Sequence, residues 1–506
     1  MKNTVLSGEE IQQEIIKIDK LVQNLSGYNS IFVQKRDEHK QRPLWLLMAD
    51  NSAESICLYC YMIKKKIPFL LVDKIISEKR FQEIVDNFQP VCLFLPKQVK
   101  HFSCYRKQIV YEEYICWGVL KENIWKKQSI SEEVALLLST SGSTGSSKYV
   151  VLTYSNLASN AAAIVKSLEM KKGVRSAVML PISYSYGLSV INSTLKADGM
   201  LLIPDGMLIQ KAFWDFLESE KVNIIYGVPY TYDVLRKLQI WRRPLLDLQL
   251  ITQAGGAMCR EMKEFLLHVV EDRREKGMKM DLAIMYGQTE ATARMSCFFL
   301  NRYPHKINSV GKAVPGGTFS IANPDTEGQG EILYIGENVS SGYATGCNDL
   351  SAEMIYRNDN MNILQTGDIG KVDADGFLYI TGRKCRFVKQ RGYRISLDEL
   401  QEKMCEILGR DVACVNGLSE SMDKIGVLIE KYEIGEDRKK NTECITGYLD
   451  EDIILETVRK SLESRFILRN DYTISIIKSL PRKSNGKIDY KKVQELIFEG
   501  RSDMRL

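Results

Sequence analysis

From Pro43 to Tyr286 the chain repeats one unit: a short apolar run, a loop, and an amphipathic stretch long enough for a helix. The apolar runs fall at 44–48, 69–72, 91–95, 134–138, 177–180, 201–203, 224–227, 250–252 and 282–286. Amphipathic stretches of helical length lie between many of them, for example at 77–87 and 211–220. Short apolar runs bounded by turn formers read as buried strands, and their alternation with helices predicts an α/β fold of parallel-type sheets covered by helices. In such folds ligands collect at the carboxyl ends of the strands. With 506 residues the chain exceeds what one core supports, so two or more domains are expected.

After about Asn301 the texture changes. Gly, Pro and Asp punctuate shorter runs, as in Pro315-Gly316-Gly317 and Asp373-Ala374-Asp375-Gly376, which predicts a small antiparallel or barrel-like subdomain over about 301–384. Beyond Cys385 a strand-like 387–389 and a helix over 397–408 open a third texture of mixed α+β character. The expected division is a large unit, 1–384, and a smaller one, 386–506. Basic residues number 69 against 64 acidic, a net +5 without a long run of one sign, so nothing points to nucleic acid. Residues 1–10 are polar and lack a signal core, and no run of 18 apolar residues marks a membrane span. Twelve cysteines scattered through a large chain suit a reducing cytoplasm. Cys57-x-x-Cys60 lies in an apolar helical stretch, 53–63, with no second pair nearby, and reads as core packing.

The run 134–138 leads into Ser139-Thr140-Ser141-Gly142-Ser143-Thr144-Gly145-Ser146-Ser147-Lys148, and a helix is expected from Tyr154 to about Glu169. A strand, a Gly/Ser/Thr loop with one lysine, and a helix form a cradle for a polyphosphate. Glycines turn backbone N–H groups toward an anion, hydroxyls add donors, and Lys148 supplies charge. The spacing is not that of the usual P-loop.

Further motifs follow in order. Thr252-Gln253-Ala254-Gly255-Gly256-Ala257 ends a run with two glycines. Tyr286-Gly287-Gln288-Thr289-Glu290 follows another, and places a flat ring, a hydroxyl and a hard carboxylate ligand suited to Mg²⁺ within five residues. Then come Thr366-Gly367-Asp368, Gly382-Arg383-Lys384-Cys385-Arg386 running on through Gly392, and Pro481-Arg482-Lys483-Ser484-Asn485-Gly486-Lys487. Taken together, from Ser139 to Lys487, this ordered set resembles the acyl-adenylating (AMP-forming) superfamily. That superfamily holds acyl- and aryl-CoA synthetases, adenylation domains of nonribosomal peptide synthetases, and luciferases.

The resemblance implies the roles. Thr140, Ser141, Gly142, Ser143, Thr144 and Gly145, with Lys148, would hold the ATP phosphates. Gly255, Gly256 and Tyr286 would frame adenine, while Asp368 accepts the ribose hydroxyls beside Arg383. Thr289 would meet a phosphate, Glu290 the Mg²⁺, and Lys487 the substrate carboxylate and α-phosphate. The small domain would pivot at residue 385, where Cys385 replaces the usual Asp or Lys, and a thiol would enter past Gly392. The acyl pocket is expected near Tyr184, Tyr186 and Gly187, with Tyr230 and Tyr232 as further lining, although the tyrosines also suit a plain core. Amino-acid adenylators place an Asp near the position of Tyr184; here no carboxylate is adjacent, which favours an acid without an α-amino group.

The implied activity is an ATP-dependent ligase joining a small carboxylic acid to a thiol through an acyl-AMP. The acceptor is coenzyme A or the phosphopantetheine of an acyl carrier protein. Because the chain ends soon after Lys487, no fused carrier domain is expected. The alternatives are a stand-alone amino-acid adenylation enzyme and a nucleotide-binding homologue that has lost catalysis.

Overall fold

The computed structural model describes residues 3–23, 42–99, 105–119, 130–139, 148–351, 362–383, 386–390, 393–417, 424–431, 451–463, 469–483 and 486–498. Among these residues the strand–helix rhythm resolves into two eight-stranded sheets. In the first, Met200–Ile203, Arg175–Ala177, Ile224–Gly227, Leu250–Gln253 and Asp281–Tyr286 run parallel, and Thr4–Leu6, Ser296–Phe299 and Lys312–Ala313 add antiparallel edges. In the second, Cys92–Pro96, Trp45–Ala49, Phe69–Asp73 and Val134–Ser139 are parallel. Tyr149–Thr153, Tyr343–Ala344, Tyr114–Val119 and Tyr105–Tyr111 flank them antiparallel. The central strands are buried along nearly their whole length, which is why they read as unbroken apolar runs rather than alternating ones. The run expected at 177–180 stops pairing as a strand at Ala177, because Pro181 begins the turn toward the helix Ser185–Lys196.

Helices fill the space between and around the sheets. Glu78–Phe88 starts at Ser77, whose hydroxyl accepts from Arg80 N, and buries Phe81, Ile84, Val85 and Phe88 on one face. Ala53–Lys64 inserts Ile56, Cys57 and Leu58 into the same apolar cluster as Trp45, Leu47, Ile182, Leu188 and Leu201, so one core joins the two sheets. Cys57 and Cys60 are free thiols whose pKa burial pushes up, as core residues require.

One expectation is corrected. The helix begins at Tyr154 as expected, but it does not follow the Gly/Ser/Thr segment directly. Tyr149–Thr153 is a strand that pairs back antiparallel on Val134–Ser139, with Ser139 opposite Tyr149, and the helix Tyr154–Ser167 begins only afterwards. Tyr-Val-Val-Leu-Thr is aromatic and β-branched, and all five residues are buried. The Gly/Ser/Thr segment therefore joins two strands of a hairpin, and 140–147 itself lies outside the described residues.

The antiparallel subdomain is a four-stranded sheet of Gly317–Ala322, Gly330–Gly336, Ile363–Val372 and Leu378–Arg383. It opens later than the change of texture at 301, because Lys312–Ala313 still belongs to the first large sheet. Beyond it come a ribbon, Phe387–Gln390 with Tyr393–Ser396, and a three-stranded sheet of Val412–Asn416, Ile425–Glu430 and Tyr472–Ile477. The helices Leu397–Leu408, Glu451–Glu463 and Tyr490–Phe498 accompany them. Among the described residues, no helix is long and apolar enough to cross a membrane.

Asn156 ties the large sheets to the antiparallel one. Its Oδ1 accepts from Thr153 N at 2.9 Å while its own N–H donates to Thr153 Oγ1, a capping box, and its Nδ2 donates to Glu337 O at 2.7 Å and Val339 O at 2.9 Å. Asn156→Ala removes the side-chain half of the capping box and strands two carbonyls, so the unfolding free energy should fall by roughly 2–4 kcal/mol. A lower urea midpoint reads this out; an unchanged midpoint would mean that these bonds do not hold the 337–339 strap.

Candidate active site

Four loops leave the carboxyl ends of parallel strands in the first sheet and meet at one edge: 178–186, 228–230, 254–256 and 287–290. Gly255 turns the third loop with φ +84°, and a Cβ there would stand 2.6 Å from the Tyr184 hydroxyl, so the position accepts only glycine. The fourth loop is equally tight, since a Cβ on Gly287 would lie 1.6 Å from Ala293 O.

The C-terminal segment reaches these loops through a small turn. Gly486 N donates to Lys483 O at 2.9 Å and Lys483 N to Lys487 O at 2.8 Å. Gly486 has φ +78°, and a Cβ on it would come within 3.0 Å of the Val228 side chain. Arg482 fixes the turn from the other side. It pairs with Asp411, donates Nη1–H to Gly486 O at 3.2 Å, and lays its guanidinium over the Tyr230 ring at 4.6 Å. Lys487 is thereby carried to the Tyr184 ring, with Nζ 5.4 Å from its centroid. Burial, followed by repulsion from Arg383 and Lys483, lowers the Lys487 ammonium to about 8, while Glu290 and Asp368 oppose that shift.

Asp368 is the second fixed point, only 2% exposed. Its carboxylate accepts from the Tyr286 hydroxyl, from Gln288 Nε2 at 2.8 Å, and from Arg383, whose Nε is 2.9 Å away. Gln288 also donates to Thr366 O at 2.9 Å, and Arg383 N donates to Asp398 Oδ2 at 3.0 Å. These bonds bring the Tyr286 loop, two strands of the antiparallel sheet and the first turn of the helix Leu397–Leu408 onto one buried carboxylate. Thr289 Oγ1 lies 3.1 Å from Ser185 Oγ, and Glu290 Oε1 accepts from Tyr343 Oη at 2.9 Å. One hydroxyl and one carboxylate form a donor set that fits a Mg²⁺ arriving on a triphosphate, which keeps several waters and takes few protein ligands.

The sequence expectations therefore divide. Tyr184, Tyr286, Thr289, Glu290, Asp368, Arg383, Gly255 and Lys487 come together. Lys148 is exposed at the start of its hairpin strand. Thr140, Ser141, Gly142, Ser143, Thr144, Gly145, Cys385 and Gly392 lie outside the described residues. Tyr230 is 41% exposed and carries the Arg482 guanidinium, whereas Tyr232 belongs to the core, donating to Thr252 O at 2.6 Å. Gly187 serves a close approach, since a Cβ would lie 2.1 Å from Pro181 O. Gln288, Tyr343 and Arg294 escaped the sequence reading. Arg294 had a signal, as a lone cation inside the otherwise uncharged stretch Ala291-Thr292-Ala293-Arg294-Met295-Ser296-Cys297-Phe298-Phe299.

Comparison with known proteins bears on the family and the fold. A profile of AMP-binding enzymes matches residues 38–344, more than half of the chain. Oxalate–CoA ligase of Saccharomyces cerevisiae is 27% identical over 373 residues, covering 72% of this chain and 63% of that protein, so the match spans just under two thirds of the relative's own length. The 2-succinylbenzoate–CoA ligase of Lactococcus lactis is 23% identical over 466 residues, 88% of this chain and 89% of that one. In three dimensions the chain is similar to O-succinylbenzoate coenzyme A synthetase of Bacillus subtilis in complex with AMP. The TM-score is 0.69 at 17% identity, covering 98% and 94% of the two chains, which speaks for the fold alone.

The lowered Lys487 pKa has a consequence for stability. In the unfolded chain the lysine keeps its proton up to its ordinary value of 10.5, whereas in the folded protein it gives the proton up near 8. Between those values the unfolded state binds more protons, so stability rises with pH relative to a variant without the amine. A Lys487→Met protein should therefore hold an advantage over the parent below pH 8, shrinking by up to roughly 1.4 kcal/mol per unit as pH rises toward 10. Thermal midpoints of both proteins across that range provide the test, and a pH-independent difference would refute the lowered pKa.

Proposed function

The chain belongs to the AMP-binding enzyme family, and from that premise we propose that it is an ATP-dependent, AMP-forming ligase that joins a small carboxylic acid to a thiol. The observation that carries the reading is the placement of the half-buried Lys487 ammonium against Tyr184, in the electrostatic company of Glu290, Asp368 and Arg383. A cation held in place and partly withdrawn from water interacts strongly with charge that develops on reacting oxygens.

In the first half-reaction a carboxylate oxygen of the acid attacks the α-phosphorus of ATP. The new bond is the acyl–phosphate bond, the bond broken is that to the bridging oxygen of the leaving pyrophosphate, and Lys487 offsets charge on both oxygens. Asp368 would accept the ribose hydroxyls and Tyr286 with Gly255 and Gly256 would frame adenine. The hairpin residues Thr140, Ser141, Gly142, Ser143, Thr144 and Gly145, with Lys148, would hold phosphates. Mg²⁺, held by Glu290 and Thr289, supplies charge neutralisation on the phosphates when bound.

In the second half-reaction a thiolate attacks the acyl carbon and AMP leaves. For that step the unit from 386 onward would turn about residue 385, withdrawing Lys487 and opening a thiol path past Gly392. The names of both curated relatives carry coenzyme A, which favours it over a carrier-protein pantetheine as acceptor. The amino-acid alternative loses ground to a further observation: the group packed on Tyr186 is the cation Arg294, which opposes an ammonium.

Acid-dependent ATP–pyrophosphate exchange with Mg²⁺, over a panel of fatty, aryl, hydroxy, dicarboxylic and amino acids, tests the reading. Exchange with an amino acid alone would replace it. Within that assay Lys487→Ala should slow adenylation by about 10²–10³-fold, the effect of losing one oriented electrostatic contact, while thioester formation from supplied acyl-AMP continues. Equal loss of both half-reactions in a folded variant would remove Lys487 from the proposed role.

A further inference from the structure

Arg294 is 1% exposed, and the usual companions of a buried guanidinium are missing. Among the described residues its Nη2 has no hydrogen-bond partner and its Nε faces only the Met285 sulfur at 3.2 Å. Its Cζ lies 3.8 Å from the centroid of the Tyr186 ring. The ionisable groups that act on it most strongly are Tyr186, Tyr226, Tyr184 and Cys297, and none of these four is an Asp or Glu. Burial holds all four in their neutral forms, so none is a counter-ion at neutral pH. Nor does Tyr186 offer its hydroxyl, which is engaged with Thr252 Oγ1 at 2.9 Å and Thr252 O at 3.2 Å.

The backbone holds Arg294 inward. Its carbonyl accepts from Asn160 Nδ2 at 2.8 Å and from Asn338 Nδ2 at 3.0 Å, both buried. The two residues before it, Thr292 and Ala293, adopt φ +55° and +101°, conformations that cost a branched or ordinary side chain energy and persist where the surroundings impose them. A strained, tethered loop thus places against the Tyr186 ring a cation that has no anion among the described residues. The Tyr184 and Tyr186 rings stand 6.2 Å apart, with Lys487 beside the first and Arg294 beside the second.

We propose that Arg294 is a specificity-determining residue that pairs with a second carboxylate at the far end of the substrate, so that the pocket selects short dicarboxylic acids. This rests on the ligase reading above, in which Lys487 meets the reacting carboxylate. A guanidinium presents paired donors that match a carboxylate, and the substrate's second carboxylate is the anion that Arg294 lacks. A monoacid of the same length would leave the guanidinium buried and unpaired, the condition under which a polar site rejects an analogue most strongly.

The experiment is pyrophosphate exchange with matched pairs: propionate and malonate, butyrate and succinate, benzoate and phthalate. The parent protein should favour the diacid in at least one pair by about 10²-fold or more in kcat/KM. Arg294→Met should abolish or invert that preference, mainly through KM for the diacid, with ATP affinity unchanged; Arg294→Lys, which keeps the charge, should retain part of it. Exchange that prefers the monoacid in every pair, or a diacid preference that survives Arg294→Met, overturns the inference while leaving the ligase reading intact. If exchange is silent with every acid, calorimetry of succinate and malonate binding in the presence of AMP decides. Binding weakened tenfold or more by Arg294→Met upholds Arg294 and sinks the ligase reading; undetectable or equal binding overturns the inference as well. Should Arg294→Met fail to fold, the Arg294→Lys comparison carries the same judgement, with an unaltered diacid KM counting against the pairing.

Discussion

The buried carboxylate of Asp368 is the point on which the site depends. A carboxylate removed from water needs donors on all sides, and it finds them on Tyr286, Gln288 and Arg383. Each donor belongs to a different stretch of backbone from Asp368 itself, so satisfying one charge joins the end of a parallel strand to the antiparallel sheet. Through Arg383 N and Asp398 the same network continues into the first turn of the C-terminal unit. Lys487 then sits where the fields of Asp368 and Glu290 partly offset its burial.

The three charges of the site, two buried and one half-buried, are treated differently, and the difference is informative. Asp368 is fully provided with donors. Lys487 is carried in by a turn whose glycine allows close approach to Val228 and whose arginine clamps Tyr230. Arg294 is held by its backbone and left without an anion, an arrangement that structural stability alone would not favour. Such conflicts between local stability and placement concentrate where a ligand completes the chemistry.

Much of this was legible in one dimension. The apolar runs and their spacing announced two helix-covered sheets, because a strand buried on both faces has no room for polar residues. Tyr286, Asp368, Arg383 and Lys487 could be picked out because each stands in a short motif of an ordered set that resembles one superfamily. Those readings depend on local composition and order, which the chain carries along its length. Other features depended on distant partners. The strand Tyr149–Thr153 went unread because it forms by pairing with Val134–Ser139, and Tyr230 takes on its ring the guanidinium of Arg482, far along the chain. Arg294 looks in sequence like one cation in an apolar stretch. Its meaning appears only when folding surrounds it with neutral tyrosines, since whether a charge is paired is a property of its neighbours in space.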